Sequence, residues 1–415
     1  MYLRGHWDEA IGRGEKAKVA ALEGNNKHDL AAIAENLANI RSDRGEYEEA
    51  EQIYHETLEV FRSLNDHRTA ITLINLGSVH FKKAEFLQAK QLYHESLELY
   101  EKLGNEAGIG VARQCLGQVL HTEGETAEAR QFFTSSLDIL EKSGTQRDMA
   151  WPLYGLGNLE EDQGEMKRAR QLYLDALQIN RRLGNQSGLA SSLTELCSVA
   201  RQEGKIEEAI KLCNEGLEIE KRLGDKKGYL NGLYRLGQVA VDQGNLLGAR
   251  HLFEHSLEIG RRLGDPLSVG VVLHELANIE LSEGALHTAE ALLNESVSIL
   301  QKLGAKRYLA LPLDSEGRLR TAQGSFSAAR AIFREALEIA EALGQKPAIA
   351  RIKHSAGLLA EKENDFSLAT QLWHEALESF ESLGFAKAET VKADLRRLET
   401  SQSTEPSAVA PNQTL

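Results

Sequence analysis

Apolar and small residues fall on helical spacing along almost the whole of this chain. Between Asp225 and Gly264, Leu233, Leu236, Gly237 and Ala240 recur at i, i+3, i+4 and i+7, one stripe of an amphipathic helix. After Gly244 a second stripe follows at Ala249, Leu252, Phe253, Ser256, Leu257 and Gly260. A short turn between two such helices makes them antiparallel neighbours. The pair then returns about every forty residues: Gly124, Gly164, Gly204, Gly244, Gly284 and Gly324 mark the turns, and Ala129, Ala169, Ala209, Ala249, Ala289 and Ala329 stand five residues on. Ala89 and Ala369 continue the series, and a first copy at Gly45 and Ala50 sits one residue out of step. The period predicts an all-α protein, an α-solenoid superhelix of antiparallel helix pairs in which each unit touches only its neighbours.

The boundaries carry their own chemistry. Leu263-Gly264 ends a helix on a residue free to adopt the left-handed conformation, Asp265 can accept from the open amides of the next helix, and Pro266 fits its first position. Leu103-Gly104-Asn105, Leu183-Gly184-Asn185 and Leu223-Gly224-Asp225 repeat the signal. Inside the first helix of the pair, Gly77, Gly117, Gly157, Gly237, Gly317 and Gly357 each cost about 0.5–1 kcal/mol relative to alanine, a recurrent expense that close helix approach explains. Ala38, Cys197 and Ala277 take that place in the other repeats. Pro152 and Pro312 occupy one shared position; a shifted helix start accounts for both, and a local widening of the inner groove around Trp151 is the alternative.

Residues 1–26 read as the second helix of an incomplete leading repeat, because Arg4 to Ala10 match Arg44 to Ala50. Residues 27–384 form nine repeats, 385–400 a polar capping helix, and 401–415 a disordered Ser/Thr/Pro-containing tail. The uncovered leading helix suggests that the chain is the C-terminal part of a longer protein, or that it self-associates there.

The net charge of −14 opposes a phosphate backbone or an anionic lipid surface as main partner, so neither nucleic acid nor membrane is expected to bind directly. Without a long apolar run or secretory leader, the default compartment is cytoplasmic. Three cysteines, Cys115, Cys197 and Cys213, write neither a disulfide framework nor a zinc cage, and the last two read as small packing residues within one repeat, with a functional thiol pair as the alternative.

Leu76-Gly77, Ala89, Tyr93 and Ser96 resemble the tetratricopeptide repeat (TPR), and the recurrence of this set makes the resemblance specific. The period is six residues longer than the common form. It is similar to spindle-orientation adaptors and to the C-terminal sensor arrays of bacterial signalling ATPases and transcription regulators; Gly45 to Ala50 resemble the bacterial arrays most. The resemblance implies a concave groove lined by first helices. It places Asn39, Gln118, Trp151, Tyr154, Asn158, Tyr234, Gln238, His274, Asn278 and Arg318 there as a peptide-binding row. Amides both donate and accept, and Trp151, Tyr154 and Tyr234 are the expected anchors. Glu161, Asp162, Glu195, Asp242 and Glu275 lean the groove acidic, which favours a basic or amphipathic protein or peptide partner.

His251-Leu252-Phe253-Glu254-His255 has the His-x-x-Glu-His spacing of an inverted zinc peptidase, but Phe253 is the buried aromatic of its repeat and no third ligand is apparent. Phosphate loops and nucleophile elbows are missing too. The reading is therefore a non-enzymatic protein interaction scaffold with no cofactor. A sensor segment of a larger bacterial regulator is the alternative, and a zinc metallohydrolase the remote one.

Overall fold

The computed structural model describes residues 7–23 and 26–404, and among these residues the regular structure is helical. Nine antiparallel pairs follow one another: α2 (Lys27–Arg44) with α3 (Tyr47–Ser63), α4 (Arg68–Lys82) with α5 (Phe86–Leu103), α6 (Glu106–Glu123) with α7 (Thr126–Lys142), α8 (Ala150–Asp162) with α9 (Met166–Leu183), α10 (Gln186–Gln202) with α11 (Ile206–Leu223), α12 (Lys226–Asp242) with α13 (Leu246–Arg262), α14 (Pro266–Ser282) with α15 (Leu286–Lys302), α16 (Ala310–Ala322) with α17 (Phe326–Ala342), and α18 (Lys346–Lys362) with α19 (Phe366–Leu383). Helix α1 (Trp7–Glu23) packs on α2, and α20 (Ala388–Thr404) closes the array against α19. The capping helix thus runs beyond the expected residue 400, and residues 405–415 of the expected tail lie outside the described residues.

The turns form as their residues dictate. Gly104, Gly184 and Gly224 are left-handed caps, and Asn105, Asn185, Asp225 and Asp265 each accept from the backbone N–H three residues on, at 3.0–3.2 Å.

Within each repeat the first-helix glycine receives the ring of the residue sixteen positions later. Gly77 meets Tyr93, Gly117 meets Phe133, Gly157 meets Tyr173, Gly317 meets Phe333 and Gly357 meets Trp373. A Cβ on Gly237 would lie 2.5 Å from Cε1 of Phe253, inside its van der Waals envelope. At Ala277 the small residue gains a methyl group and the partner is the smaller Leu293, whereas Ala38 keeps an aromatic partner, Tyr54. A serine three residues beyond the aromatic completes the contact: Ser96, Ser136, Ser256 and Ser296 donate to the carbonyls of Ala70, Gly110, Leu230 and Gly270 at 2.6–3.2 Å.

The expectation that Cys197 and Cys213 are merely two small packing residues is corrected, since they form a disulfide with their Cα atoms 5.5 Å apart. They occupy the glycine and aromatic slots of the fifth repeat, the two positions that this fold brings into direct contact.

Neighbouring first helices touch one another more extensively than neighbouring second helices do, so the array curves with first helices inside. The curvature closes on itself. Leu263 packs on Gly45, Leu343 on Gly124 and Leu383 on Gly164, so roughly five repeats make one superhelical turn and successive turns meet. Pro152 and Pro312 do shift helix starts: α8 and α16 begin four residues later in their repeats than α10, α12 and α14 do. The residues released before α16 form a 3-10 turn, Lys306–Tyr308, which lies against α6.

Gly237→Leu is expected to destabilise the fold by roughly 1–3 kcal/mol through overpacking. Gly237→Ala combined with Phe253→Leu should recover most of the parent stability, because it recreates the Ala277 and Leu293 pairing. Chemical denaturation of the three proteins checks both statements, and an unchanged midpoint for Gly237→Leu would refute the packing account.

Candidate functional site

The inner surface is a ladder of side chains that join one first helix to the next. His121 faces Asp162 at 2.8 Å, Arg235 donates to Glu195 at 3.0 Å, Arg201 to Asp242 at 2.9 Å, Tyr234 to Glu275 at 3.2 Å, and Arg318 to Asn278 at 3.1 Å. Each link spans 40 or 41 residues. The period therefore puts these partners side by side, and the rungs tie the repeats laterally.

The ten residues expected to line the groove fall into three kinds. Gln118 and Trp151 are exposed, Trp151 by 47%, with its ring edge-on to that of Tyr154 at 5.8 Å. Asn39, Asn158, Tyr234, Gln238, Asn278 and Arg318 are half-buried and engaged in the ladder or with the second helix behind it. Tyr54 and Tyr173 reach through from the second helices to the side-chain oxygens of Asn39 and Asn158 at 2.5 and 2.7 Å, turning the NH2 ends of the amides the other way. Gln238 donates to Tyr234 Oη at 2.9 Å and to Glu275 at 2.8 Å.

Tyr154 and His274 are buried, which corrects their placement as accessible lining. The Tyr154 hydroxyl sits among Gly188 O, Ser192 Oγ and Asn180 Nδ2 at 2.6–2.8 Å, an interhelical network that replaces solvent. His274 lies between Ser315 and Asn278, both at 2.9 Å, and burial lowers its imidazole to about 4.

The acidic lean is also corrected. Asp162, Glu195 and Asp242 have basic partners on neighbouring elements, while Glu161 accepts from Ser198 and Gln202, both at 2.6 Å. Arg307, carried by the 3-10 turn, reaches Asp162 with Nε at 2.6 Å and Nη2 at 3.0 Å, although 145 residues separate them. Burial would raise the Asp162 carboxyl, but Arg307 and His121 reverse that and hold it far below the ordinary carboxylate range. Burial and then Arg307 push His121 below its usual value, so its neutral ring donates Nε2–H to Asp162. Gln345 donates to the Arg307 carbonyl at 2.9 Å and fixes the turn.

Positive charge gathers instead at the C-terminal end of the inner face. Arg318, Arg351 and the exposed Lys387 share one nearby buried carboxylate, Asp314, which lies 3.5 Å from Arg351 Nε. The neighbouring charges of Arg351 and Arg318 bring the Lys387 ammonium down to about 8. Arg307, Arg351 and Lys387 were missed from the sequence. Pro312, whose displaced helix start frees the Arg307 turn, was a trace of the first alone.

Three of these inner side chains also carry buried polar atoms without a hydrogen-bond partner among the described residues: Arg201 Nε, Gln238 Oε1 and both oxygens of Asp314. The zinc-peptidase spacing, by contrast, is on the outer helix α13, where His251 and Glu254 are 71% and 54% exposed. No helix among the described residues is long and apolar enough to cross a membrane.

Two families match this chain: the tetratricopeptide repeat over residues 29–102, 229–302 and 268–342, and the MalT-like TPR region over 109–264. The chain belongs to the tetratricopeptide repeat proteins. Among solved structures it is similar to a Rap protein complexed with Competence and Sporulation Factor, at TM-score 0.55 and 13% identity, with 80% of this chain and 98% of that one covered. It is similar also to the Rap conjugation gene regulator of plasmid pLS20 in complex with the Phr* peptide, at TM-score 0.57 and 15% identity, covering 68% and 77%. At such identities the likeness is one of fold. No curated protein matches this chain in sequence.

The depressed His274 value has a signed consequence. The unfolded chain takes up a proton near pH 6.5 while the folded chain resists until about 4, so this contribution is complete above 6.5 and is lost as pH falls towards 4. His274→Gln should flatten the dependence of unfolding free energy on pH across that window, as measured by urea titrations at several pH values.

Proposed function

We propose that this protein is a non-enzymatic scaffold that binds a partner peptide or protein segment along the inner face of its superhelix. The observation that carries the reading is the gathering of positive charge at one end of the inner face, where Arg318, Arg351 and the exposed Lys387 share one buried carboxylate, Asp314. A carboxylate-bearing segment lying along the inner row would supply the counter-charge that this cluster lacks. Trp151, half exposed beside this row, supplies a rigid apolar anchor. The two similar Rap structures were solved with a sporulation factor and a Phr* peptide, which supports a peptide-sized ligand for a superhelix of this shape.

Because Asp162, Glu195 and Asp242 are paired with bases from within, the partner is better matched as an amphipathic segment with an acidic end directed at Arg318, Arg351 and Lys387 than as a basic one. The match to the MalT-like TPR region favours a second reading within the same mechanism, in which the array is the sensor segment of a larger regulator and occupancy of the groove alters what is attached to it.

A displayed peptide library panned on the intact chain tests the proposal. Enriched amphipathic sequences with an acidic end are expected, with binding weakened roughly tenfold or more by Trp151→Ala and by Lys387→Glu while the thermal melt is preserved. Failure to enrich any sequence, or enriched peptides indifferent to both substitutions, would move the function away from this surface.

A further inference from the structure

At most repeat junctions the second helix offers a base to a carboxylate on the following first helix. Lys90 meets Glu123 at 2.9 Å, Arg130 meets Glu160 at 2.6 Å and Arg170 meets Glu203 at 2.5 Å, and the polarity inverts at Glu290 and Arg320, 2.6 Å apart. The first junction, between α3 and α4, is built differently. Here the rung is Glu51 and Lys83, 2.8 Å apart and inverted in polarity, and two histidines flank it, His80 on α4 and His55 one turn beyond Glu51 on the same face of α3.

One ligand-capable atom from each of Glu51, His55 and His80 lies within 4.8 Å of the other two. His80 is buried and oriented on both sides: Nδ1 faces the Glu85 carboxylate at 2.5 Å, which leaves Nε2 directed at Glu51 Oε1, 3.9 Å away. A carboxylate on one imidazole nitrogen that aims the other at a second donor is the outer-shell arrangement around metal-bound histidines. Glu51 and Glu85 carry two negative charges against the single positive charge of Lys83, which is 2.8 Å from Glu51 Oε2 and 3.3 Å from Glu85 Oε1. The remaining charge favours a cation.

We propose that Glu51, His55 and His80 form a binding site for a divalent transition-metal ion of the zinc type, bridging α3 and α4, with Glu85 as a positioning residue. Two imidazoles and one carboxylate are a donor set that zinc accepts, with solvent in the fourth position. Tetrahedral ligation brings donor atoms to roughly 3.4 Å from one another, so the present spread closes by up to about 1.4 Å, a movement within the rotation of exposed His55 and half-buried Glu51. Solvent access from the His55 side makes the ion exchangeable, and the bridge ties the second helix of the first repeat to the first helix of the second. This site lies on a different surface from the binding row and does not depend on the reading given for it.

Titration of the intact, metal-stripped chain with zinc by calorimetry, and with cobalt by visible absorption, tests this. One ion per chain is expected, with ligand-field bands for cobalt that zinc displaces and a thermal midpoint that zinc raises. His55→Ala and His80→Ala should each weaken zinc binding at least tenfold, and Glu85→Gln by about 10–100-fold. His251→Ala with His255→Ala, which removes the exposed pair on α13, should leave binding unchanged. Because His55 is exposed, its substitution stays informative if the His80 variant fails to fold. No binding to the parent chain, or binding indifferent to His55→Ala, would overturn the proposal.

Discussion

The structure rests on a repeated exchange of volume between the two helices of each pair. A first-helix residue with little or no side chain lets an aromatic ring from the second helix sit against its backbone, and a serine one turn later ties the same two helices through a carbonyl. A glycine in mid-helix is a poor local choice. Here its cost is offset by burial of a whole ring, as at Tyr93, Phe133, Tyr173 and Phe253, each of which is almost completely shielded from solvent. The contact also sets the distance between the helices of a pair, and with first helices drawn more closely together than second helices the array must curve.

Curvature then decides what the inner face becomes. In an open array the carboxylates of the first helices would look into water and give the groove a negative field. In the closed superhelix they meet neighbours one repeat away, and Asp162 meets Arg307 from the next turn. The chain keeps its large negative charge, but the groove does not inherit it; the basic end at Arg318, Arg351 and Lys387 has the opposite sign. Net charge is a sum over surfaces, and the surface that the fold turns inward need not share its sign.

The architecture was legible residue by residue. The period, the helix caps, the small-residue slots and the shifted starts at Pro152 and Pro312 all follow from spacing and from local conformational preference, while the first-helix lining was implied by the resemblance. The fate of individual groove residues was not. Tyr154 and Tyr234 share a register position, yet the first is buried beneath Ser192 and Asn180 while the second stays half open beside Glu275, because the neighbouring repeats supply different partners at the same height. The Cys197 and Cys213 bond lies between these cases: the sixteen-residue spacing of Gly237 and Phe253 already joined those two slots, and the packed helix pair brings the two sulfurs into bonding contact.

By itself the sequence determined the helix pairs, their order and their packing partners within each repeat, because caps, stripes and volume exchange act over fewer than forty residues and recur. Only the tertiary structure decided which side chains remain open, where charge is compensated and how Arg307 finds Asp162. Those outcomes depend on a superhelical angle accumulated over several repeats, a small rotation per unit that no local pattern encodes but whose sum brings residues 145 positions apart into contact.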